Sequence, residues 1–595
     1  MTWSVVVPPR SPATPFAPPN TLPLPRLALE KPGDPSRQPR WQRVRRCLAA
    51  GPLLAILCLQ TVLSLRLVWR NTAFQDEALY LWAGHLEWAH WLHGTQIPNF
   101  PTYFSGAPVL YPPIGALADS VGGLAGARIL SLGFMLAASA LLWGTASRLF
   151  DRRAAFFATA IWVVLAPTVH LGAFATYDPM SLCLMAAGAW CAVRAGPRFE
   201  EMRWVALAAG ALVLANATKY ASALFDPVVV VIVAMNARSL GLPGKAAAAR
   251  AAALGSYVIA GVILLAIVGG GFYEAGIGQT TLTRAMGNDP VSVVLSYSWA
   301  WIAPVVVIGL LGVLASIATE RDLHRQILLA ALLTAAALAP LQQARIHTLT
   351  SLDKHVDFGA WFAAIAAGYA ARAIISLPRR RWSRVLATLA CAATLIPAVT
   401  RGTAQSISLV EWPNAKAFDT IFGRLAASHP GRFLVETPSI PEYYLPSGSD
   451  WRRWSNTRNI VLPDGHSISA AVGASGNPQV YRQFIQRNYF SLIALDFLST
   501  RPLDLAIAAD LDGNSRYRLV ADVSYGTARY KIWERIPAGA AGRLQAASRG
   551  TAERGAARGK PAGHDASTAQ HRRHQSRRAR HKGRPRPQML QRSMP

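Results

Sequence analysis

Several ionisable residues lie beside long apolar runs, where a charge is costly and needs a reason. Asp76 and Glu77 follow the first such run by a few residues. A carboxylate within hydrogen-bond reach of an attacking hydroxyl can take its proton, so either acid is a candidate base. Capping is the alternative, because carboxylates also favour the first turn of a helix. Asp178, directly before Pro179, is open to the same two readings, since Asp followed by Pro is a common helix start. Lys219 stands between two apolar runs. Its amine either snorkels to lipid headgroups or meets an anion such as a phosphate or a carboxylate. Arg345, His347, Lys354 and His355 form a basic stretch that could grip a lipid phosphate or sit solvated among headgroups. His170 reads as a helix-end residue rather than a metal ligand. Asp76, Glu77, Asp178 and His170 lack the spacing of a metal site.

The elements that position these residues follow from composition. The chain has 595 residues, 52% hydrophobic and 15% charged, too little charge to cover a soluble globule of this size. The apolar residues cluster in runs long enough for membrane helices. Spans are expected near 48–68, 124–147, 154–173, 178–194, 204–218, 220–235, 251–271, 294–317, 327–343, 356–376 and 383–400, about eleven in all. Arg43, Arg45 and Arg46 precede the first, and every second loop is basic, from Arg148, Arg152 and Arg153 to Arg379, Arg380, Arg381 and Arg384. The positive-inside rule then places the N-terminus in the cytoplasm. The long first loop, 70–123, and the segment after 400 face outside. Ala78 to His93, with Trp82 and Trp88, fits a helix lying in the interface.

The expected fold is an α-helical polytopic membrane protein with a small C-terminal extracytoplasmic α/β domain. Residues 1–47 read as a disordered basic arm, 48–400 as the membrane domain, 401–536 as the outer domain and 537–595 as a disordered basic tail. In the outer domain, apolar runs at 433–435, 492–495 and 517–520 and a last run at 529–533 read as strands, with helices near 415–428 and 478–488. The net charge of +29 gathers largely in the arm and tail. No folded module accompanies it, so no nucleic-acid partner is expected. Five cysteines lie in or beside apolar runs and suggest no disulfide framework. There is no phosphate-cradling Gly-rich loop, no Cys-based zinc pattern and no nucleophile elbow.

The run from Phe74 through Asp76, Glu77, Tyr80 and Trp82 to His85 resembles the first outer loop of the membrane glycosyltransferases of the C-type fold. The pattern is most similar to that of the protein O-mannosyltransferases and the aminoarabinose transferases. Tyr111 to Ile114, Ala127-Arg128, Asp178 to Met180 and Ala217 to Tyr220 are also like that group, in the same order, over roughly residues 50 to 400. The resemblance implies a transferase that moves a sugar from a polyprenyl-phosphate carrier to an acceptor hydroxyl, usually with inversion. It works at the outer face of the plasma membrane, on a glycan, lipid or protein acceptor. By the same resemblance, Asp76 matches the catalytic acid, Glu77 its usual neighbour and Asp178 a second acid near the site. Lys219 matches a lysine associated with an anion. Arg345, His347, Lys354 and His355 occupy the region where relatives bind carrier phosphate. Some relatives use a divalent metal and others do not, so no cofactor is assigned. The outer domain is expected to bind or position the acceptor. The rivals are a lipid-linked glycan transporter, which would need polar groups through several helices at mid-depth, and a non-catalytic glycan-binding scaffold.

Overall fold

The structure, a computed structural model, describes residues 40–278, 286–319 and 322–376, and most of 380–537. Residues 1–52 and 53–595 form two compact units, and of the first only the opening of helix α1 is described. Twelve helices make up the described part to residue 376: α1 (Arg40–Val68), α2 (Gln75–His93), α3 (Tyr111–Leu149), α4 (Arg152–Trp162), α5 (Ala166–Leu171), α6 (Tyr177–Arg194), α7 (Arg203–Thr218), α8 (Asp226–Ser239), α9 (Gly244–Ile277), α10 (Val291–Thr319), α11 (Leu323–Arg345) and α12 (Leu352–Ser376). Among the described residues seven helices are long and apolar enough to cross a membrane, and the protein is a polytopic membrane protein.

Several expected boundaries move, each for a local reason. Helix α1 begins at Arg40, inside the expected arm, because its Arg and Leu residues are good helix formers. Helix α3 reaches back to Tyr111 and bends at Gly123, which takes φ 61°. The expected span 154–173 is two helices, α4 and α5. The break falls just ahead of Pro167, which cannot supply the amide that a continuous helix needs. Residues 178–194 and 204–218 form α6 and α7. The span at 220–235 starts with a 3₁₀ stretch, Tyr220–Phe225, before α8. Much of 383–400, most of the basic arm and the tail beyond 537 lie outside the described residues.

Helix α12 lies at the centre, packed by α4, α10 and α11. Its sequence is rich in Ala and Gly, and small residues let helix backbones approach closely in a membrane. A methyl group at Gly359 would stand 2.3 Å from Ala335 O, and one at Gly368 would stand 2.1 Å from Ala154 O. Helix α9, by contrast, exposes Ile259, Ile263, Leu264, Ile267 and Val268, a surface suited to lipid.

The C-terminal part holds a five-stranded sheet: β1 (Arg432–Val435), β2 (Trp454–Ser455), β3 (Phe490–Leu495), β4 (Tyr517–Tyr525) and β5 (Ala528–Arg535), in the order β2-β1-β3-β5-β4. β1 runs parallel to β2 and β3, and β5 runs antiparallel to β3 and β4. The apolar run of β3 is buried throughout, as a central strand requires. Leu492 and Ala494 join Phe418 and Phe422 of helix Lys416–Ser428 in one core, and Ile493 and Leu495 join Tyr481 and Ile507 in the other. The alternation is that of a strand covered on both faces. At the C-terminal ends of β1 and β3, Glu436 accepts backbone N–H groups from Asp496, Phe497 and Thr500 at 2.8, 3.0 and 2.9 Å. Asp504 lies beside it and accepts from Thr500 Oγ1 at 3.0 Å. Burial, reinforced by the Glu436 charge, pushes the Asp504 carboxyl up to about 9.

Two predictions follow from this packing. Gly84 of α2 faces α3 so closely that a Cβ would lie 2.0 Å from Pro112 O. Gly84→Ala is expected to destabilise the protein by about 1–3 kcal/mol, read as a lower melting temperature in detergent. The raised Asp504 value means that the folded state holds a proton which the unfolded chain releases at ordinary carboxylate pH. That stability is complete in acid and is lost as pH rises from about 4 through about 9. Melting temperature measured across that range should fall towards alkaline pH, and Asp504→Asn should flatten the profile.

Candidate active site

The charged residues singled out in the sequence converge at one end of the helices, around the start of α12. Asp76 is the second residue of α2. Its Oδ2 accepts from Lys354 Nζ at 2.6 Å, and among the described residues no hydrogen bond is formed at Oδ1. Lys354 Nζ also lies 4.0 Å from Asp178 Oδ2. Asp178 accepts from Lys219 Nζ through Oδ1 and from Thr176 Oγ1 through Oδ2 at 3.0 Å. The order is thus cation, anion, cation, anion: Lys219, Asp178, Lys354, Asp76. Lys219 is 1% exposed, Lys354 3% and Asp76 7%. Charges this buried persist only when paired.

Lys219 therefore does not snorkel. It follows the last residue of α7 in extended backbone, and its amine lies 5.0 Å from the centre of the Tyr177 ring. The turn around it is fixed from two sides. Asn216 donates to Asp226 at 2.7 Å and accepts from Ser222 at 2.6 Å. The loop after α2 is pinned to the same turn by Ala107 N to Ala217 O at 2.7 Å and Tyr220 N to Ser105 O at 2.9 Å. Asp178 does not cap α6 either. Thr176 holds the cap position, and Asp178, inside the first turn, turns towards the lysines.

Glu77 has the bracing place that capping anticipated in part. Its Oε2 accepts from Phe74 N at 2.9 Å, closing the first turn of α2. Arg128 of α3 forks onto both oxygens, Nε to Oε1 at 2.8 Å and Nη2 to Oε2 at 2.7 Å. Ala175 N, just before α6, donates to Oε1 at 2.9 Å. Arg128 also donates to Val68 O at 2.8 Å, at the end of α1. One fully buried ion pair thus ties the end of α1, the start of α2 and the chain entering α6 to the middle of α3, beside Asp76. Between α1 and α2, Asn71 takes φ 140°, strained for a residue with a Cβ. Its side chain donates to Val410 O and Trp412 O at 3.1 and 2.7 Å, joining this corner to the chain entering the C-terminal part.

The basic stretch divides. Lys354 and His355 belong to the first turn of α12, earlier than the expected start at 356. Lys354 reaches the cluster, and His355 lies within electrostatic reach of Asp178 while pairing with Gln343 at 2.6 Å. Arg345 ends α11 and is exposed. His347 pairs with Asp289 O at 3.2 Å. Among the described residues neither is joined to the cluster by a hydrogen bond or ion pair. His170 of α5 is buried, with its ring 4.5 Å from that of Phe174.

Sequence reading missed Asp353, which lies 3.5 Å from His170 Nε2. It also missed Asp357, which accepts from Trp162 and Thr168 at 3.0 and 2.7 Å and so ties both halves of the broken α4–α5 span to α12. The cue was available, since two acids four residues apart in an otherwise apolar helix share a face. No group of His, Cys, Asp and Glu that could hold a metal ion occurs among the described residues.

Cutting one partner of the Glu77–Arg128 pair leaves a buried charge alone, at a cost of about 3–5 kcal/mol. Arg128→Ala is expected to abolish recovery of folded protein. Arg128→Lys, which keeps the charge but loses the fork, should melt several degrees lower than native protein.

Residues 116–265 match the family of dolichyl-phosphate-mannose-protein mannosyltransferases. No curated protein matches the sequence. Among solved structures, the chain is similar to the oligosaccharyltransferase AglB of Archaeoglobus fulgidus, in complex with an inhibitory peptide and a dolichol-phosphate. The TM-score is 0.53 at 12% identity, covering 83% of this chain and 75% of that one. It is also similar to ArnT of Cupriavidus metallidurans bound to undecaprenyl phosphate, with a TM-score of 0.52 at 15% identity, covering 82% of this chain and 99% of that one. The chain has the C-type fold of membrane glycosyltransferases.

Proposed function

We propose that the protein transfers a sugar from a polyprenyl-phosphate donor to an acceptor hydroxyl at the outer face of the plasma membrane. The observation that carries this reading is the buried chain of alternating charge ending in Asp76, whose Oδ2 is fixed by Lys354 and whose Oδ1 forms no hydrogen bond among the described residues. A carboxylate held by one oxygen and open at the other suits a base for an incoming hydroxyl.

In this reading Asp76 takes the acceptor proton as the acceptor oxygen attacks the anomeric carbon. The bond from that carbon to the phosphate oxygen breaks, and the polyprenyl phosphate leaves with the bond pair. The configuration at carbon is inverted. The leaving phosphate is already an anion and needs no acid. It needs cations fixed where its charge grows. Lys354 and Lys219 fill that role, since an ammonium has three donors and each gives one to a carboxylate. Asp178 holds both lysines in place. Glu77, occupied at both oxygens, is a positioning residue. His355 adds positive potential, while Arg345 and His347 are left out of the site.

Sidedness rests on charge. The cluster lies at the end of the helices where α6 and α12 start and α7 ends. Arg148, Arg152, Arg153, Arg194, Arg198 and Arg203 lie at the other ends of those helices and their neighbours. The positive-inside rule puts those arginines in the cytoplasm and the cluster, with the sheet above it, outside. About eleven crossings satisfy that pattern. The bound dolichol-phosphate and undecaprenyl phosphate of the two similar structures support a lipid-phosphate donor. Beyond Asp357, in its second turn, α12 carries no charged side chain as far as Ala371, and this uncharged mid-depth favours a transferase over a transporter.

The test is transfer from a panel of radiolabelled polyprenyl-phosphate sugars by purified protein in lipid nanodiscs. Asp76→Asn should lower the rate by roughly 10²–10⁴-fold while polyprenyl phosphate still binds, and Lys354→Met should weaken that binding. Native protein that transfers from none of the donors, or Asp76→Asn at full rate, defeats the proposal.

A further inference from the structure

Among the contacts of the C-terminal part with the membrane part is a short helix, Ser439–Tyr444, which packs on α2. Tyr443 donates to Asp119 Oδ1 at 2.6 Å, and Tyr444 accepts from Ala73 N at 2.7 Å. Trp82 donates to Gly448 O at 2.9 Å just beyond it. These bonds fix the helix firmly, which makes its Glu442 conspicuous. Glu442 is only 8% exposed, yet among the described residues its carboxyl has no hydrogen-bond or ion-pair partner. Its oxygens are not among the sealed polar atoms, so they open onto water. Burial pushes this carboxyl up to about 8. A buried, unpartnered carboxyl costs stability, and a site that breaks a folding rule without local compensation points to function.

The surroundings say what it could bind. Aromatic rings run in contact from Tyr177, next to Asp178, through Tyr80 at 4.6 Å, Phe104 at 5.2 Å and Phe100 at 5.9 Å to Tyr103 at 5.9 Å. Tyr103 is 45% exposed, and Phe100 beside it packs on Trp82 at 5.5 Å, whose hydrogen-bond partner Gly448 lies against the backbone of Glu442. An aromatic face beside a polar carboxyl matches a sugar, which offers an apolar C–H face and a rim of hydroxyls.

We propose that Glu442 and Tyr103 form a carbohydrate subsite, the ring stacking on the sugar and the carboxyl binding its hydroxyls, at the far end of the aromatic wall that runs to Tyr177 beside Asp178. The proposal rests on the transferase reading, in which this subsite holds a glycan acceptor. The acceptor is thus a carbohydrate rather than a peptide.

Binding of radiolabelled methyl glycosides and short oligosaccharides of mannose, glucose and arabinose is measured on the full protein in nanodiscs, with no donor present. Retention of at least one probe is expected. Glu442→Ala and Tyr103→Ala should each weaken it tenfold or more, and Glu442→Gln, which keeps hydrogen-bonding capacity, should hold it better than Glu442→Ala. Melting temperature separates binding from structure: Glu442→Ala should melt at or above the native temperature, because it removes an uncompensated buried carboxyl. Native protein that takes none of the probes, Glu442→Ala that binds as native does, or Glu442→Ala that melts several degrees lower overturns the proposal. A protein that binds a glycoside through Glu442 yet transfers no sugar refutes the transferase reading and leaves the subsite standing.

Discussion

The ammonium of Lys354, lying between Asp76 and Asp178, is the interaction on which the rest of the site depends. In an apolar bundle a lone carboxylate is driven to take up a proton and a lone amine to lose one. Alternating the signs lets four charges share one pocket with little net field. The arrangement also stores cations exactly where an anionic leaving group would need them, without waiting for side chains to reorganise. Lys354 comes from the first turn of α12, the most enclosed of the seven candidate spans among the described residues.

A second constraint keeps Asp76 in register. The Glu77–Arg128 fork binds the end of α1, the start of α2 and the chain entering α6 to the middle of α3. Neighbouring acids in sequence thus divide the work by environment. Glu77 is saturated by donors and holds the frame, while Asp76 keeps one oxygen open. Trp412 extends the frame, donating to Thr72 O at 2.9 Å and packing on Phe74 and Phe174. The α/β part is joined to the same corner that fixes the acids.

The contrast between Glu442 and Glu436 shows how the C-terminal part treats buried acids. Glu436 is satisfied by backbone donors and organises the loop after β3. Glu442 is held in place by its tyrosine neighbours but receives no donor of its own. The first is explained by the fold, and the second asks for a ligand.

The sequence by itself determined the membrane class, most of the helices, the strands at 433–435, 492–495, 517–520 and 529–533, and the set of charges from which the site is made. Apolar runs, periodicity and the cost of charge beside lipid are local properties, legible one segment at a time. Only the tertiary structure decided that Lys354 rather than Arg345 or His347 reaches Asp76, that Glu77 is a brace, and that Asp353 and Asp357 join the same end of α12. Asp76 and Lys354 lie 278 residues apart. Which charges meet across such a distance is set by helix packing, through contacts such as Gly359 on Ala335, and no local pattern encodes it.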